Sequence, residues 1–315
     1  MKKILLISTN ALGDTYLVCS VLKTLRHHFE KSQIDIISSE SARFFLNEAG
    51  FDNLYLIKRK SFSEVHRIIF KIRNTGYDFV FNFFPLHMNT SLFKLSKADE
   101  KIGFVNIIKK KSWHNDEDTL RIKSQPKNKA AIWKPEENYL QRMRLALNYA
   151  GIKNAQITKH IFDFEDEACG TYDIVAHFFS SDANRQIGED SIKEILNELC
   201  ITNKKKVCLI GSKDELKKIK GFVTVSGLHF EESPGIKKLV SLIKNCKLYI
   251  GVDSFPLHIA DAYGVKTLGI FYYKNEKSVF QNMDNKFIFR TESAAIDTKE
   301  FFNFIKKKQI LSGIN

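Results

Sequence analysis

This chain of 315 residues lacks the short motifs that mark several large enzyme classes. After the apolar run at residues 4–7 the only glycine is Gly13, so the Gly-x-Gly-x-x-Gly fingerprint of dinucleotide-dependent dehydrogenases is missing there. Gly-x-Ser-x-Gly and Walker-loop motifs do not occur either, which argues against the corresponding hydrolases and P-loop kinases. The chemistry of this protein must therefore reside in other residues.

Long apolar runs and closely paired cysteines are also missing. No stretch approaches the ~18 uninterrupted apolar residues of a membrane span, and Met1-Lys2-Lys3 leads directly into a strand, so we expect neither a membrane span nor a secretory signal. The five cysteines form no Cys-x-x-Cys pair, which is typical of buried thiols in a reducing compartment. Both observations predict a cytoplasmic protein.

Positive charge is in excess and is unevenly distributed. The formal net charge is +13; residues 1–150 contain 25 Lys+Arg against 15 Asp+Glu, and residues 151–315 contain 24 against 21. A basic face can bind nucleic acid, anionic lipid or an anionic glycan. The sequence has no nucleic-acid motif and no interleaving of aromatic and basic residues, so we favour lipid or phosphorylated glycan over nucleic acid.

Short apolar runs alternate with helical patterns along the chain, which predicts an α/β protein with parallel sheets. Its length favours two domains, residues 1–150 and 151–315. The predicted strands are residues 4–8, 34–38, 54–57, 79–83 and 102–104, then 174–178, 206–210, 222–225, 248–251, 267–271 and 287–289. The predicted helices are residues 15–30, 41–49, 62–74, 88–97 and 137–150, then 190–200, 213–220, 236–246, 256–263 and 297–309. Residues 106–134 are predicted to be irregular.

The segment around Pro256 predicts a strand, a tight turn and the start of a helix. Asp253 and Ser254 favour a turn and a helix cap, and Pro256 suits the first helical position. The amides of Leu257 and His258 would then lack partners within the helix, and these donors favour an anion such as a phosphate. The alternative interpretation is an ordinary turn of an α/β domain with a capping serine.

A second candidate site follows the first strand. Residues 8–15 form a loop of small residues, which places Asp14, beside Gly13, at the mouth of the first strand–helix unit. In an open parallel sheet, ligands bind at the carboxyl ends of the strands. Asp14 is therefore a candidate functional carboxylate, with an N-cap of the first helix as the alternative role.

Together these segments resemble glycosyltransferase family nine, the ADP-heptose:lipopolysaccharide heptosyltransferases. The residues that carry the resemblance are Leu12-Gly13-Asp14, Val225-Ser226-Gly227, Gly251-Val252-Asp253-Ser254-Phe255-Pro256-Leu257-His258 and Ala262-Tyr263-Gly264-Val265. The likeness extends over residues 1 to about 275 in the order and spacing of the strands. It implies the GT-B architecture, in which two Rossmann-like domains face each other across a cleft. The last helix is expected to pack back on the first domain, as chain ends in GT-B folds often do.

The resemblance implies roles for both candidate sites. The first domain would bind the acceptor, with Asp14 as the general base, and the second would bind a nucleotide sugar such as ADP-heptose. The implied donor-binding residues are Arg185, Asp253, Ser254, Phe255, Pro256, Leu257 and His258. Arg185 stands in for a family lysine, and Phe255 occupies the place of a family glycine. These departures leave open a different donor sugar for another surface glycan, and a catalytically silent glycan- or nucleotide-binding module is a further alternative.

The resemblance also bears on metals, cofactors and partners. GT-B enzymes generally use protein cations and amides rather than a metal, so we predict no metal and no cofactor besides the donor substrate. Asp116 and Asp118 match an Asp-x-Asp metal spacing, but a solvated charge run is the better interpretation there. Lys109, Lys110 and Lys111 are weaker candidates for binding an anionic, lipid-linked glycan acceptor. We expect a peripheral protein at the cytoplasmic face of the inner membrane.

Overall fold

The computed structural model describes residues 1–58, 62–84, 87–105, 128–132, 138–182, 185–221, 223–272 and 276–314. These residues form two compact units, Met1–His160 and Ile161–Asn315. Each unit contains one parallel six-stranded sheet with helices between its strands. Two parallel-sheet α/β domains are what the alternating sequence pattern predicts.

The boundary between the units follows His160, whereas the sequence analysis places it after Ala150. Residues 151–160 belong to the first unit because their carbonyls are hydrogen-bonded to its helices. The Thr24 hydroxyl donates to Gln156 O at 2.9 Å, and the Tyr16 hydroxyl donates to His160 O. A Gly-x-Lys turn after a helix therefore does not mark the end of this unit.

The strands of the first unit are β1 (Lys3–Ser8), β2 (Gln33–Ser39), β3 (Asn53–Ile57), β4 (Tyr77–Asn82), β5 (Ala98–Val105) and β6 (Asn128–Ile132). Its helices are α1 (Leu12–Cys19), α2 (Leu22–His28), α3 (Arg43–Ala49), α4 (Phe62–Thr75), α5 (His87–Leu95) and α6 (Tyr139–Tyr149). The strand order is β3-β2-β1-β4-β5-β6, which is the Rossmann order.

Strand β1 lies in the middle of this sheet and pairs with β2 and β4. Residues 4–7 are fully buried, because helices cover both faces of a parallel sheet and a central strand therefore reads as a continuous apolar run. The strand order reverses between β1 and β4. Ligands of open α/β sheets bind beside the carboxyl ends of the strands at such a reversal, so the segments after β1 and β4 are where a site is expected.

The strands of the second unit are β7 (Ile174–His177), β8 (Val207–Gly211), β9 (Leu228–Glu232), β10 (Leu248–Val252), β11 (Thr267–Phe271) and β12 (Lys286–Arg290). Its helices are α7 (Glu189–Asn197), α8 (Lys213–Lys220), α9 (Ile236–Lys244), α10 (Phe255–Ala262), α11 (Glu276–Val279) and α12 (Thr298–Lys307). The strand order, β12-β11-β10-β7-β8-β9, is again the Rossmann order, with the reversal between β7 and β10.

Helix α12 buries its apolar face in the second unit. Phe301 and Ile305 belong to the core of that unit, and the rings of Phe301 and Phe289 lie 5.0 Å apart, nearly perpendicular. The expectation that this helix also packs on the first domain stays a prediction. The apolar spacing of a helix predicts which face is buried but not against which sheet.

One strand of the second unit was predicted in the wrong place. The sequence pattern favours a strand at residues 222–225, but β9 begins only at Leu228. The Val223 amide donates to Ile219 O and extends the end of α8. Gly227, at φ +86°, then turns the chain so that its carbonyl accepts from the Val207 amide at the start of β8. β9 therefore forms where the chain can pair with β8, not where the local sequence has β propensity.

Two further predictions in the first unit are corrected. Residues 106–134 were expected to be irregular, but β6 lies within them and pairs with β5 at the sheet edge through backbone hydrogen bonds. The first helix begins at Leu12, not near residue 15, because the Thr15 amide already donates to Ala11 O at 3.1 Å. Among the helices described, none is long and apolar enough to cross a membrane.

Candidate functional site

Asp14 lies in the first turn of α1, at the carboxyl end of β1. The N-cap of α1 is Ala11, and no side chain caps this end, so the N-cap role considered for Asp14 is wrong. Gly13 likewise lies inside the first helical turn rather than in the preceding loop. An acidic group in the first turn is favoured by the positive end of the helix dipole. The half-buried Asp14 carboxylate is thus held next to the strand-order reversal of the first sheet.

The side chain of Asn10 contacts this carboxylate. Its Nδ2 donates to Asp14 Oδ2 at 3.1 Å. Asn10 was not among the predicted site residues. It lies in the bend before the N-cap Ala11, so helical spacing gives no signal for this pair, and the contact depends on how the loop after β1 folds.

The corresponding turn of the second unit follows β10. Asp253 and Ser254 form the turn, and α10 begins at Phe255, with Pro256 in its first turn. Ser254 is the N-cap residue in an extended conformation, at φ −153° and ψ 172°, but its side chain does not cap the helix. Its hydroxyl instead donates to Val252 O at 3.2 Å and contacts His177. The predicted strand, turn and helix are present, with the helix starting one residue earlier.

The backbone donors at this turn differ from the prediction. The Leu257 amide donates to Ser254 O at 3.1 Å, so it is already used within the first turn of α10. Short-range bonds of this kind satisfy donors that an ideal α-helix leaves open at its N-terminus. The pair of unpartnered amides predicted at Leu257 and His258 is therefore not formed, and this turn offers an anion fewer backbone donors than expected.

The side chains at the start of α10 are buried. Phe255 is 7% exposed, His258 is 4% exposed and Leu257 is fully buried. The side chains at the start of α10 are therefore not solvent-exposed groups.

Arg185 and Asp253 are brought together, although 68 positions separate them. Arg185 Nη1 lies 3.0 Å from Asp253 Oδ2 and 3.3 Å from Asp253 O, and Arg185 Nε lies 3.3 Å from Asp182 Oδ2. The Nη2 group makes no hydrogen bond to any residue in the described part of the chain. Two carboxylates thus orient one guanidinium, which retains donors for an anionic ligand.

His177, at the end of β7, contacts the same turn. Its Nδ1 lies 3.0 Å from Ser254 Oγ, and burial lowers the pKa of His177 to about 4, so the ring is neutral at pH 7. Ser254 Oγ also lies 3.2 Å from Val252 O, so His177 and the backbone of β10 together hold this side chain away from the N-terminus of α10. No local signal identified this pair, which forms only when β7 and β10 become neighbours.

Gly251, the next-to-last residue of β10, is needed for this packing. A Cβ atom there would lie 2.5 Å from Tyr249 Oη and 2.8 Å from His177 O. Both distances are too short for a real contact, and the second involves backbone that cannot move aside. The glycine therefore allows the end of β7 and the Tyr249 side chain to approach the turn closely.

Other candidate residues lie outside the part of the chain that the structure describes. Lys109, Lys110 and Lys111, and the acidic residues 116–118, fall in the gap between residues 105 and 128. Among the described residues no group of three or more His, Cys, Asp or Glu side chains could hold a metal ion. Four of the five cysteines are buried, as predicted, whereas Cys169 is only partly buried.

The two sheets resemble those of known proteins. Two Rossmann-ordered parallel sheets, each with polar residues at its strand-order reversal, match the domains of GT-B glycosyltransferases. The model of glycosyltransferase family 9 (heptosyltransferase) matches residues 65–301, which is most of the chain. The chain belongs to this family and is a glycosyltransferase.

Solved structures show the same fold at low sequence identity. The family 9 glycosyl transferase from Veillonella parvula has a TM-score of 0.72 and 15% identity, covering 98% of this chain and 89% of that one. E. coli heptosyltransferase WaaC with ADP has a TM-score of 0.70 and 13% identity, covering 97% and 99%. E. coli ADP-heptose lps heptosyltransferase II has a TM-score of 0.67 and 13% identity, covering 98% and 100%. A search of curated protein sequences found no match.

Proposed function

We propose that this protein transfers a heptose, or a related sugar, from a nucleoside diphosphate donor such as ADP-heptose to a lipopolysaccharide-type core acceptor. The observation that carries the proposal is the oriented Asp14 carboxylate at the strand-order reversal of the first sheet. Family membership supports the reaction class. Similar solved structures contain ADP and ADP-2-deoxy-2-fluoro heptose, which supports this class of donor.

Asp14 is proposed as the general base in the acceptor-binding first unit. Sugar transfer requires removal of a proton from the acceptor hydroxyl, and a positioned carboxylate can accept it. The proton moves to Asp14 as the hydroxyl oxygen bonds to the anomeric carbon. The bond from that carbon to the diphosphate breaks, and the electron pair leaves with the diphosphate.

The second unit is proposed to bind the donor. Negative charge grows on the diphosphate as it departs, so fixed donors stabilise the transition state. Arg185 is proposed to supply them through Nη2, since Asp253 contacts Nη1 and Asp182 lies near Nε. His177 is proposed to support this site by holding the Ser254 side chain through Nδ1. His258 and Leu257 are proposed to support the turn from inside the unit rather than to contact the diphosphate directly.

The acceptor and location are proposed from charge. Residues 1–150 carry the larger excess of Lys and Arg, including Lys109, Lys110 and Lys111. Each basic residue near an anionic membrane surface contributes about 1 kcal/mol of attraction. We propose that these residues favour an anionic, lipid-linked glycan and a peripheral position at the cytoplasmic face of the inner membrane. Neither a metal nor a cofactor besides the donor is part of this proposal.

Two alternatives are favoured by specific observations. Arg185 and Phe255 differ from the usual family residues, which favours a transferase with another donor sugar for another surface glycan. The Leu257 amide is engaged and Arg185 is paired with two carboxylates, which favours a module that binds glycan or nucleotide without catalysis.

One experiment separates these functions. Purified protein is tested for thermal stabilisation by ADP-heptose and by other ADP-, UDP- and GDP-sugars, since a ligand at 100 times its Kd adds about 2.7 kcal/mol. Release of the nucleoside diphosphate is then measured with a purified lipooligosaccharide core. Stabilisation by ADP-heptose with acceptor-dependent ADP release supports the proposal. Stabilisation by another donor would identify a different sugar, and stabilisation without release in any pairing would favour the binding module.

A further inference from the structure

A network of buried amides lies behind Asp14. Its central member is Asn89, on α5 after strand β4, with none of its surface exposed. Its second member is Asn10, which is 9% exposed and lies between β1 and α1. Both residues belong to the segments that flank the strand-order reversal of the first sheet. Neither residue is among those proposed to contact the donor or the acceptor.

The Asn89 side chain is fixed by four hydrogen bonds. Its Oδ1 accepts from the Thr9 amide at 2.9 Å and from the Thr9 hydroxyl at 2.7 Å. Its Nδ2 donates to Phe84 O at 3.0 Å and to Asn10 Oδ1 at 2.8 Å. A backbone amide can only donate and a carbonyl can only accept, so the Asn89 carboxamide has one allowed orientation.

This orientation determines that of Asn10. Because Asn10 Oδ1 accepts from Asn89, its Nδ2 is turned toward Asp14, where it donates to Oδ2 at 3.1 Å. Each hydrogen bond between the Thr9 amide and the Asp14 carboxylate therefore has a defined donor and a defined acceptor. Buried polar networks whose members are all satisfied are rigid, because any rotation leaves a buried group without a partner.

We propose that Asn89 is a positioning residue of the transfer reaction, which holds the Asp14 carboxylate in place through Asn10. This inference rests on the proposed function of Asp14 as general base. A base must lie within about 2.6–3.2 Å of the proton that it accepts, and a displacement of about 1 Å can reduce the rate by about 100-fold. The network supplies that accuracy from buried side chains that need not touch the substrate.

Asn89→Ala tests the network at its centre, and Asn10→Ala tests its last link without changing a fully buried residue. Asn53→Ala is the matched control, because Asn53 Nδ2 donates to the Asp35 carboxylate at 2.9 Å near the opposite, amino-terminal edge of the same sheet. Steady-state transfer is measured with ADP-heptose and a lipooligosaccharide core. We expect kcat to fall by about 10- to 100-fold for both network variants, with KM changed by less than about two-fold. Asn53→Ala should change neither constant by more than about two-fold.

A double-mutant cycle with Asp14→Asn then separates positioning from general weakening. If Asn89 acts through Asp14, Asn89→Ala should change the residual rate of the Asp14→Asn protein by less than about two-fold. An equal loss in both backgrounds, or an unchanged kcat in Asn89→Ala and Asn10→Ala, would overturn the proposal. Full activity of Asp14→Asn would instead contradict the proposed function.

A measurement without substrate tests the network itself. The side-chain amide resonances of Asn10, assigned by their loss in Asn10→Asp, are recorded by NMR in the free protein. We expect Asn89→Ala and Asp14→Asn to shift them and Asn53→Ala to leave them in place. An Asn10 signal unaffected by Asn89→Ala would refute the relay whatever the activity assays show. Should Asn89→Ala fail to fold, Thr9→Val, which removes one donor to Asn89, takes its place in every arm.

Discussion

Arg185 Nη1 lies 3.0 Å from Asp253 Oδ2 and 3.3 Å from Asp253 O, so one aspartate holds the guanidinium through both its side chain and its backbone. The Arg185 side chain is 26% exposed, and it comes from the loop before α7 while Asp253 follows β10. Fixed in this way, the arginine presents a preorganised edge to an anion, although the two neighbouring carboxylates reduce the positive charge of the site.

Arg185→Gln is expected to weaken ADP binding by about 10- to 150-fold, because hydrogen bonds to charged groups contribute about 1.5–3 kcal/mol. Isothermal titration with ADP measures the change. Arg43→Gln is the control, since Arg43 also pairs with a carboxylate, that of Glu40, but at an exposed position in the first unit. Equal ADP affinity in the wild-type and Arg185→Gln proteins would remove Arg185 from the donor site.

Asp14→Asn is expected to reduce sugar transfer by about 10² to 10⁴, because the amide cannot accept the hydroxyl proton. The fold should persist, since the loss of a charge from the first turn of a helix costs about 0.3–1 kcal/mol. Transfer rate, donor affinity and urea unfolding are measured on the same preparation. Turnover within a few-fold of wild type would show that Asp14 is not the base.

Phe255→Leu should lower the unfolding free energy by less than about 1.5 kcal/mol, whereas Phe255→Gly should lower it by at least about 3 kcal/mol. The reason is burial, because the ring is only 7% exposed and its removal leaves a cavity. Urea unfolding measures both changes. A Phe255→Gly protein as stable as wild type would show that the ring contributes little to packing.

Unfolding free energy should fall as the pH is lowered from about 6.5 to about 4. Burial lowers the pKa of both His160 and His177 to about 4, so in this window the unfolded chain binds protons that the folded protein does not. Urea unfolding across the window should show a shallower slope for His160→Gln. The same change at His27, which is exposed, is the control. A flat wild-type profile would contradict the prediction.

Changing Lys109, Lys110 and Lys111 together to Gln should weaken binding to vesicles that contain the acceptor glycolipid and leave ADP affinity unchanged. Added salt should weaken wild-type binding in the same way, because screening limits charge interactions to about 8 Å at physiological ionic strength. The control is the run Lys306, Lys307 and Lys308, three exposed lysines at the end of α12. Equal losses for both triple variants would indicate a nonspecific charge effect.

Much of the fold was predictable because central strands in parallel sheets are buried on both faces. The apolar runs at β1, β10 and β11 therefore identify strands without ambiguity. Edge strands give weaker signals: β6 was missed and β9 was displaced, since their existence depends on pairing with β5 and β8. The predicted helix at residues 15–30 is two helices, α1 and α2, and α11 was not predicted, whereas the starts of the other helices were predicted to within a few residues.

The sequence by itself determined the two α/β units, the family and the candidate residues Asp14, Arg185 and Asp253, because local periodicity and short motifs carry that information. Tertiary structure alone decided which groups are available for chemistry. It paired Arg185 with Asp253, His177 with Ser254 and Asn89 with Asn10, and it engaged the Leu257 amide inside its own helix. The physical reason is that a hydrogen bond depends on distance and direction in space, and the folded sheet order brings together residues that are remote along the chain.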